Sequence, residues 1–386
     1  MALASAVGLA ERGDDVRLFS AVGPISEEIA ASPVKVTLLD QPPVIDDPHR
    51  WSAALRGIWN RHAYHSLREL LNQCDPNRTV VHFHVWVKSL SASVIRAALD
   101  SGFKTVVTAH DFFLACPNGG FYDYRRQLIC PLRAMSAACV LTNCDKRSYA
   151  QKLWRVARHA VQRGKGRMPV GLKHFVTLSD LSERILKPYL PGGAVLHRVP
   201  NPIFVTKEDP VDVAHNDAFV FVGRFDPEKG ALLFAEAATQ ARAGCVFVGD
   251  GSEAEAVRRI APHAQITGWL DREGVRRNLR QARALVFPSR WQETFGLTVA
   301  EAAASGIPAV VADTSAAAEL VEHGKTGLVF DGGRLPALVE AIETIQKATT
   351  AAELGQAAYR RYWDTPYTLE RHLDALHGVY EAVRRV

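Results

Sequence analysis

The chain has 386 residues, 47% of them hydrophobic, and a net charge of +5; that length exceeds what one hydrophobic core serves and suits two domains. No apolar run reaches the length of a membrane span and the first residues do not read as a signal peptide, so six cysteines without a secretory signal point to a reducing, cytosolic setting. Charge is divided unevenly: residues 1–200 carry 26 Lys and Arg against 16 Asp and Glu (+10), residues 201–386 carry 20 against 25 (−5), so the basic half should face an acidic partner or surface.

Residues 2–12 have a helical pattern (Leu3, Val7, Leu9, Ala10) closing at Gly13, and residues 16–21 read as a strand. Short apolar runs at 34–39, 79–83, 104–108, 174–178 and 195–199 alternate with helical patterns, a parallel α/β layout. His82 and His84 point to one side of their strand, but two ligands do not make a metal site, and a polar strand end is the simpler reading. The sequence Thr108-Ala109-His110-Asp111 ends a strand and enters a loop, where α/β proteins gather ligands; His110 either meets a ligand or caps a turn. Cys116, Cys130, Cys139 and Cys144 contain no C-x-x-C pair, so buried free thiols are favoured over a structural zinc. Residues 146–167 hold eight Lys and Arg and no acid. On a helix, Leu153, Ala157, Ala160 and Val161 would form an apolar face beside Trp154, ringed by Lys152, Arg155, Arg158 and Arg163; the pattern fits a helix on an anionic membrane or a solvated basic face. Pro200-Asn201-Pro202 and the polar run that follows mark a domain boundary.

Beyond it, residues 218–223 form a strand, and Arg224-Phe225-Asp226-Pro227-Glu228-Lys229-Gly230 leads into a helix. An Arg and a Lys five residues apart across one turn both reach a diphosphate, the first as a fork and the second as a point charge, unless both are merely exposed loop charges. Strands at 246–249 and 265–268 follow, the second ending at Gly268 with Trp269 behind it. The stretch Phe287-Pro288-Ser289-Arg290-Trp291-Gln292-Glu293-Thr294 then turns from a strand into a loop. Thr294 is expected to cap a helix that begins near it, runs alanine-rich from Leu297 to Ser305 and closes at Gly306; a strand at 309–312 and a helix around Glu319 should follow. Its free N–H groups suit an anion or sugar hydroxyls, and Glu293 and Glu301, eight residues apart, offer two acceptors for a polyhydroxylated ligand. No D-x-D pair occurs in the chain, so a carboxylate metal clamp has no support.

Glu293 and Glu301 resemble the E-x7-E signature of the family-4 retaining glycosyltransferases, and residues 223–230 are similar to that family's G-R-x-x-x-x-K-G loop. The resemblance spans roughly the last 170 residues, and His110 resembles the family's strand-end histidine. It implies a GT-B fold: α/β, with two Rossmann-like domains facing across a cleft. Residues 1–200 would form the acceptor side, 201–362 the nucleotide-sugar domain, and 363–386 a helix packing back on the first. The family's first strand and glycine-rich loop are missing, so the first domain should lack its first strand and the start is expected to be misplaced or truncated. By resemblance, Arg224 and Lys229 hold the leaving diphosphate, with Gly223 in their loop. Glu293, Thr294 and the backbone of Phe295, Gly296 and Leu297 hold the donor sugar, Glu301 the ribose, and Gly268 and Trp269 the base, while His110 faces the sugar. The implied activity is metal-independent transfer from a UDP-, GDP- or dTDP-sugar to a glycan or lipid-linked acceptor in bacterial polysaccharide or glycolipid synthesis. The implied setting is cytoplasmic or peripheral on the inner face of the plasma membrane, with no nucleic-acid partner. A nucleotide-sugar 2-epimerase and a catalytically impaired nucleotide-sugar-binding protein are the alternatives.

Overall fold

The computed structural model describes residues 1–385. In the first half the strands are β1 (Arg17–Ser20), β2 (Lys35–Leu38), β3 (Val80–Phe83), β4 (Lys104–Thr108), the short β5 (Tyr122–Asp123) and β6 (Leu128–Ile129), β7 (His174–Thr177) and β8 (Val195–Arg198). Its helices are α1 (Ala2–Glu11), α2 (Glu27–Ala30), α3 (Arg50–Ile58), α4 (Arg61–Leu71), α5 (Ser93–Asp100), α6 (Ala137–Leu141), α7 (Tyr149–Arg163) and α8 (Asp180–Leu186). β3-β4-β7-β8 form one parallel sheet, while β1 and β2 pair in parallel as a separate two-stranded sheet, with no ladder among the described residues joining them to it. Central strands such as β4 and β7 are buried almost throughout, their polar Thr105, Thr108, His174 and Thr177 included, because helices cover both faces of a parallel sheet. α4 turns Ala63, Leu67 and Leu71, spaced four apart, into the same core.

The second half contains β9 (Ala218–Val222), α9 (Ala231–Gln240), β10 (Gly244–Val248), α10 (Ala254–Ile260), β11 (Gln265–Gly268), α11 (Arg272–Arg280), β12 (Ala282–Phe287), α12 (Leu297–Ala304), β13 (Ala309–Ala312), β14 (Gly327–Phe330) and α13 (Leu335–Gln346). Its sheet runs β11-β10-β9-β12-β13-β14, all parallel. Strand order reverses between β9 and β12, so a crevice opens at the carboxyl ends of those two strands, where ligands of open α/β sheets bind. The chain ends in α14 (Ala348–Asp364) and α15 (Leu369–Arg384). From α15, Leu376, Val379 and Val383 pack against Val106, Val176 and Val199 of the first half.

Three local expectations are corrected. Thr294 does not cap α12: the helix begins at Leu297 behind Gly296, whose φ of 152° breaks the chain, and no side chain caps it. A single 3-10 turn, Ala316–Leu320, replaces the helix expected around Glu319. In α7 the basic ring is partly turned inside: Lys152 and Arg158 are buried, whereas Leu153, Ala157 and Ala160 are exposed. The cause is what the helix packs on, a long loop rich in backbone acceptors. Arg158 donates to the Pro117 carbonyl (3.0 Å), Gln162 to the Phe113 carbonyl (2.9 Å), and Arg155 pairs with the buried Asp145 (3.0 Å). Cys116, Cys139 and Cys144 are buried free thiols and Cys130 is half-buried.

Candidate functional site

The loop after β9 and the loop after β12 meet at the sheet's switch point. They enclose a cavity of about 260 Å³ whose wall includes Gly223, Arg224, Lys229, Trp269 and Ser289. Gly230 makes the approach: its φ of +77° turns the chain into α9, and a Cβ there would stand 2.3 Å from the Pro288 carbonyl oxygen. A backbone bond from the Arg290 N–H to the Glu228 carbonyl (2.9 Å) ties the two loops together.

Both cations of the site are held by carboxylates. The Arg224 guanidinium, half exposed, donates to Asp226 (2.5 Å) and Glu228 (3.4 Å). Lys229 is paired with Glu293, which also accepts from the Ser289 hydroxyl (3.1 Å), and its ammonium lies 5.3 Å from the centre of the Trp291 ring. Asp226 receives Lys146 from the first domain (3.0 Å) and the Ser252 hydroxyl (3.0 Å); although burial opposes it, these bonds hold its carboxyl below the usual range. Glu228 is buried with one carboxylate oxygen lacking a hydrogen-bond partner. Nearby Glu253 is pushed up to about 7, first by burial and then by the charges of Asp226 and Glu228. An anion entering the cavity therefore meets Arg224 and Lys229 in competition with fixed carboxylates.

Trp269 is 64% exposed at the cavity rim, an apolar face open to a planar ring. Gly268 accepts a bond from the Gly249 N–H (2.9 Å). On α12, Glu301 is raised by burial, with Arg272 opposing. The Phe295 ring is buried against Tyr367 (centroids 5.5 Å apart), leaving its backbone, with Gly296 and Leu297, at the start of the helix.

His110 approaches from the first domain. Its Nε2 lies 2.9 Å from His84 Nδ1, and its backbone carbonyl accepts the Thr294 hydroxyl across the cleft (3.0 Å). Burial pushes the His110 ring down to about 4, so at neutral pH it is an uncharged donor and acceptor. His82 bridges the Tyr380 hydroxyl (2.8 Å) and the Thr108 hydroxyl (2.7 Å). Among the described residues no group of three or more His, Cys, Asp or Glu side chains could hold a metal ion.

The structure thus brings Gly223, Arg224, Lys229 and Trp269 to one cavity, with Glu293 paired to Lys229 and Thr294 joined to His110 across the cleft, while Gly268, Phe295, Gly296, Leu297 and Glu301 are not among its lining residues. Sequence reasoning passed over Asp226, Glu228, Glu253, Ser289, Trp291, Lys146 and Glu319. The acids at 226 and 228 alternate with Arg224 in the same loop, which was a readable sign of a paired cation. Glu319 accepts the N–H groups of Asp180 (2.9 Å) and Leu181 (2.6 Å) at the start of α8 in the first domain, a contact between distant segments that no spacing reveals.

Comparison with known proteins gives this geometry a context. Residues 216–347 match the family described as Glycosyl transferases group 1. The alpha-D-kanosaminyltransferase of Streptomyces kanamyceticus is 29% identical over 183 residues, 42% of this chain and 45% of that protein. The O-antigen chain mannosyltransferase C of Escherichia coli is 28% identical over 219 residues, 52% of this chain and 57% of that protein. The chain thus spans about half the length of these curated relatives. Among solved structures, the sucrose-phosphate synthase of Thermosynechococcus elongatus superposes with a TM-score of 0.68 at 17% identity, covering 98% of this chain and 91% of that one. The shared architecture is the two-domain GT-B fold.

Proposed function

We propose that this chain, whose residues 216–347 form a glycosyl transferases group 1 domain within a GT-B fold, moves a sugar from a nucleotide diphosphate sugar to an acceptor hydroxyl with retention of anomeric configuration. The observation that carries the reading is the cavity at the sheet's switch point, where Arg224 and Lys229 line one wall and Trp269 the rim. Cations there meet charge that grows on a leaving diphosphate, the place where preorganised electrostatics lower a barrier most. Arg224 takes the diphosphate as a fork, while Lys229 exchanges Glu293 for a phosphate oxygen. Glu293, released from Lys229, turns to the sugar hydroxyls together with Thr294 and the N–H groups at the start of α12. Glu301 accepts from the ribose, and the base stacks on Trp269 beside Gly268. His110, neutral, donates to or accepts from a sugar hydroxyl from the opposite wall. No side chain stands as an obvious nucleophile, so the leaving phosphate takes the acceptor proton and the protein supplies position and charge.

In this reading residues 201–362 bind the donor, residues 1–200 the acceptor, and residues 363–386 join the two. The two curated relatives are both glycosyltransferases, one of them named an O-antigen chain mannosyltransferase, which supports a glycan or lipid-linked acceptor. No helix among the described residues is long and apolar enough to cross a membrane, and we place the enzyme at a membrane surface from the cytoplasmic side. Titration calorimetry with UDP, GDP and dTDP tests the donor site. One nucleotide should bind at micromolar affinity, and Arg224→Ala should weaken it about tenfold to a hundredfold, as loss of a charged hydrogen-bonding fork implies. Equal affinity in the variant would refute the assignment.

A further inference from the structure

The most exposed tryptophan side chain in the first domain stands on α3. Trp51 is 87% exposed, Leu55, one turn on, is 70% exposed, and Ile45 just before the helix is 53% exposed. Helical spacing puts Trp51, Leu55 and the half-exposed Ile58 on one face. The opposite face, Ala53 and Gly57, is buried, and α3 packs on α7, where Trp154 donates to the Ala54 carbonyl (3.1 Å). An apolar ridge of this size on a soluble domain costs free energy unless something covers it.

The chain around the ridge says what does. From Pro48 to Arg68 there are four arginines, Arg50, Arg56, Arg61 and Arg68, and no Asp or Glu; Asp46 and Asp47 come just before, and Asp47 is taken up by Arg56 (2.8 Å). The neighbouring segment 146–167 is likewise free of acids. Just past the end of α3 the chain runs into an open cavity of about 360 Å³, remote from the donor site, walled by Trp59 and Tyr64 with rings 6.3 Å apart. Its only acid, Asp100, is taken up by Arg96 (2.7 Å) and the Tyr64 hydroxyl (2.9 Å). Arg61 and Lys165 are exposed there with no ion-pair partner among the described residues, and the Lys165 ammonium lies 4.1 Å over the Trp59 ring.

We propose that α3 and this cavity form a docking site for an anionic phospholipid bilayer: Trp51, Leu55 and Ile45 enter the headgroup boundary, and Arg61 and Lys165 receive a lipid phosphate in the cavity. An apolar ridge beside unpaired cations suits such a surface better than a folded protein partner, because a bilayer supplies hydrocarbon and phosphate together over a wide area. This names the acceptor-side surface of the function proposed above but does not depend on the donor site, so the two fail separately. The helix that docks is α3, while α7 supports it from behind.

The test is cosedimentation of the full chain with vesicles of phosphatidylglycerol and phosphatidylethanolamine, or of phosphatidylcholine alone, at low salt. Retention on the anionic vesicles is expected, with little on the neutral ones. Trp51→Ala with Leu55→Ala should abolish it, and Arg61→Ala with Lys165→Ala should weaken it roughly thirtyfold, about fivefold for each cation removed. All four positions are exposed, and an unchanged far-UV circular dichroism spectrum and thermal midpoint confirm that each variant is folded. Equal retention on both vesicle types, no retention, or insensitivity to either pair of substitutions overturns the proposal. So does full release by soluble glycerol phosphate, which would make the cavity a site for a free phosphate ester.

Discussion

Arg224 and Lys229 each meet a carboxylate within their own domain, and that pairing sets how they would work. A cation held by Asp226 and Glu228, or by Glu293, is oriented before a diphosphate arrives, and the exchange of one anion for another costs less than desolvating a free charge. The same enclosure acts on the histidines with a sign that can be worked out. Burial holds His82 at about 3, His110 at about 4 and His159 at about 3, and His84 is lowered too. In an unfolded chain each would titrate at about 6.5. Below that pH the unfolded chain binds protons that the folded chain refuses. Stability is therefore complete above about 6.5 and falls toward pH 4, by up to about 1.4 kcal/mol per pH unit for each ring. Asp111, raised to about 6 by burial, and Glu253, raised to about 7, act in the opposite sense, because there the folded chain is the better proton acceptor. His174, His197 and His372 are lowered as well, and Glu301 is raised; seven rings outweigh three carboxyls, so the thermal midpoint at pH 5 should lie below that at pH 7. An equal or higher midpoint would show that these rings are solvated.

At the scale of elements, the site depends on two loops being pressed together at Gly230. Alanine at that position needs a left-handed φ and a Cβ inside contact distance of the Pro288 carbonyl. Gly230→Ala should push the loop of Arg224 and Lys229 away from β12, costing roughly 1–3 kcal/mol of stability and most of the nucleotide affinity. Melting and titration of the same sample check this, and retained affinity would contradict it. The loop itself was legible in the sequence, since an Arg and a Lys ahead of a glycine after a strand carry their own geometry. The start of α12 was not: Thr294 has the chemistry of a cap, but Gly296 breaks the chain after it and frees the Thr294 hydroxyl to reach His110. Nor was the inward turn of α7, because helical periodicity presumes an apolar neighbour, and this helix packs on carbonyls that need donors.

Over the whole molecule, the alternation of strand and helix was readable because a parallel sheet covered on both faces demands nearly continuous apolar strands. The switch point between β9 and β12 was not legible in the sequence and follows from the strand order of the folded sheet. What the sequence withheld are the contacts between halves: Thr294 to His110, Glu319 to the start of α8, and Lys146 to Asp226. Each joins residues more than 75 positions apart and exists only once two separately folded sheets face each other. Those contacts tie the two halves together and hold the His110 carbonyl against the Thr294 hydroxyl, the arrangement on which the proposed reaction rests. The most direct test of the proposed reaction is proton NMR of the sugar released on incubating the protein with an α-linked nucleotide sugar in the absence of an acceptor. The account predicts that the α-anomer is seen first, before mutarotation, and that Arg224→Ala releases no sugar. The β-anomer appearing first, or equal release by the variant, would contradict it.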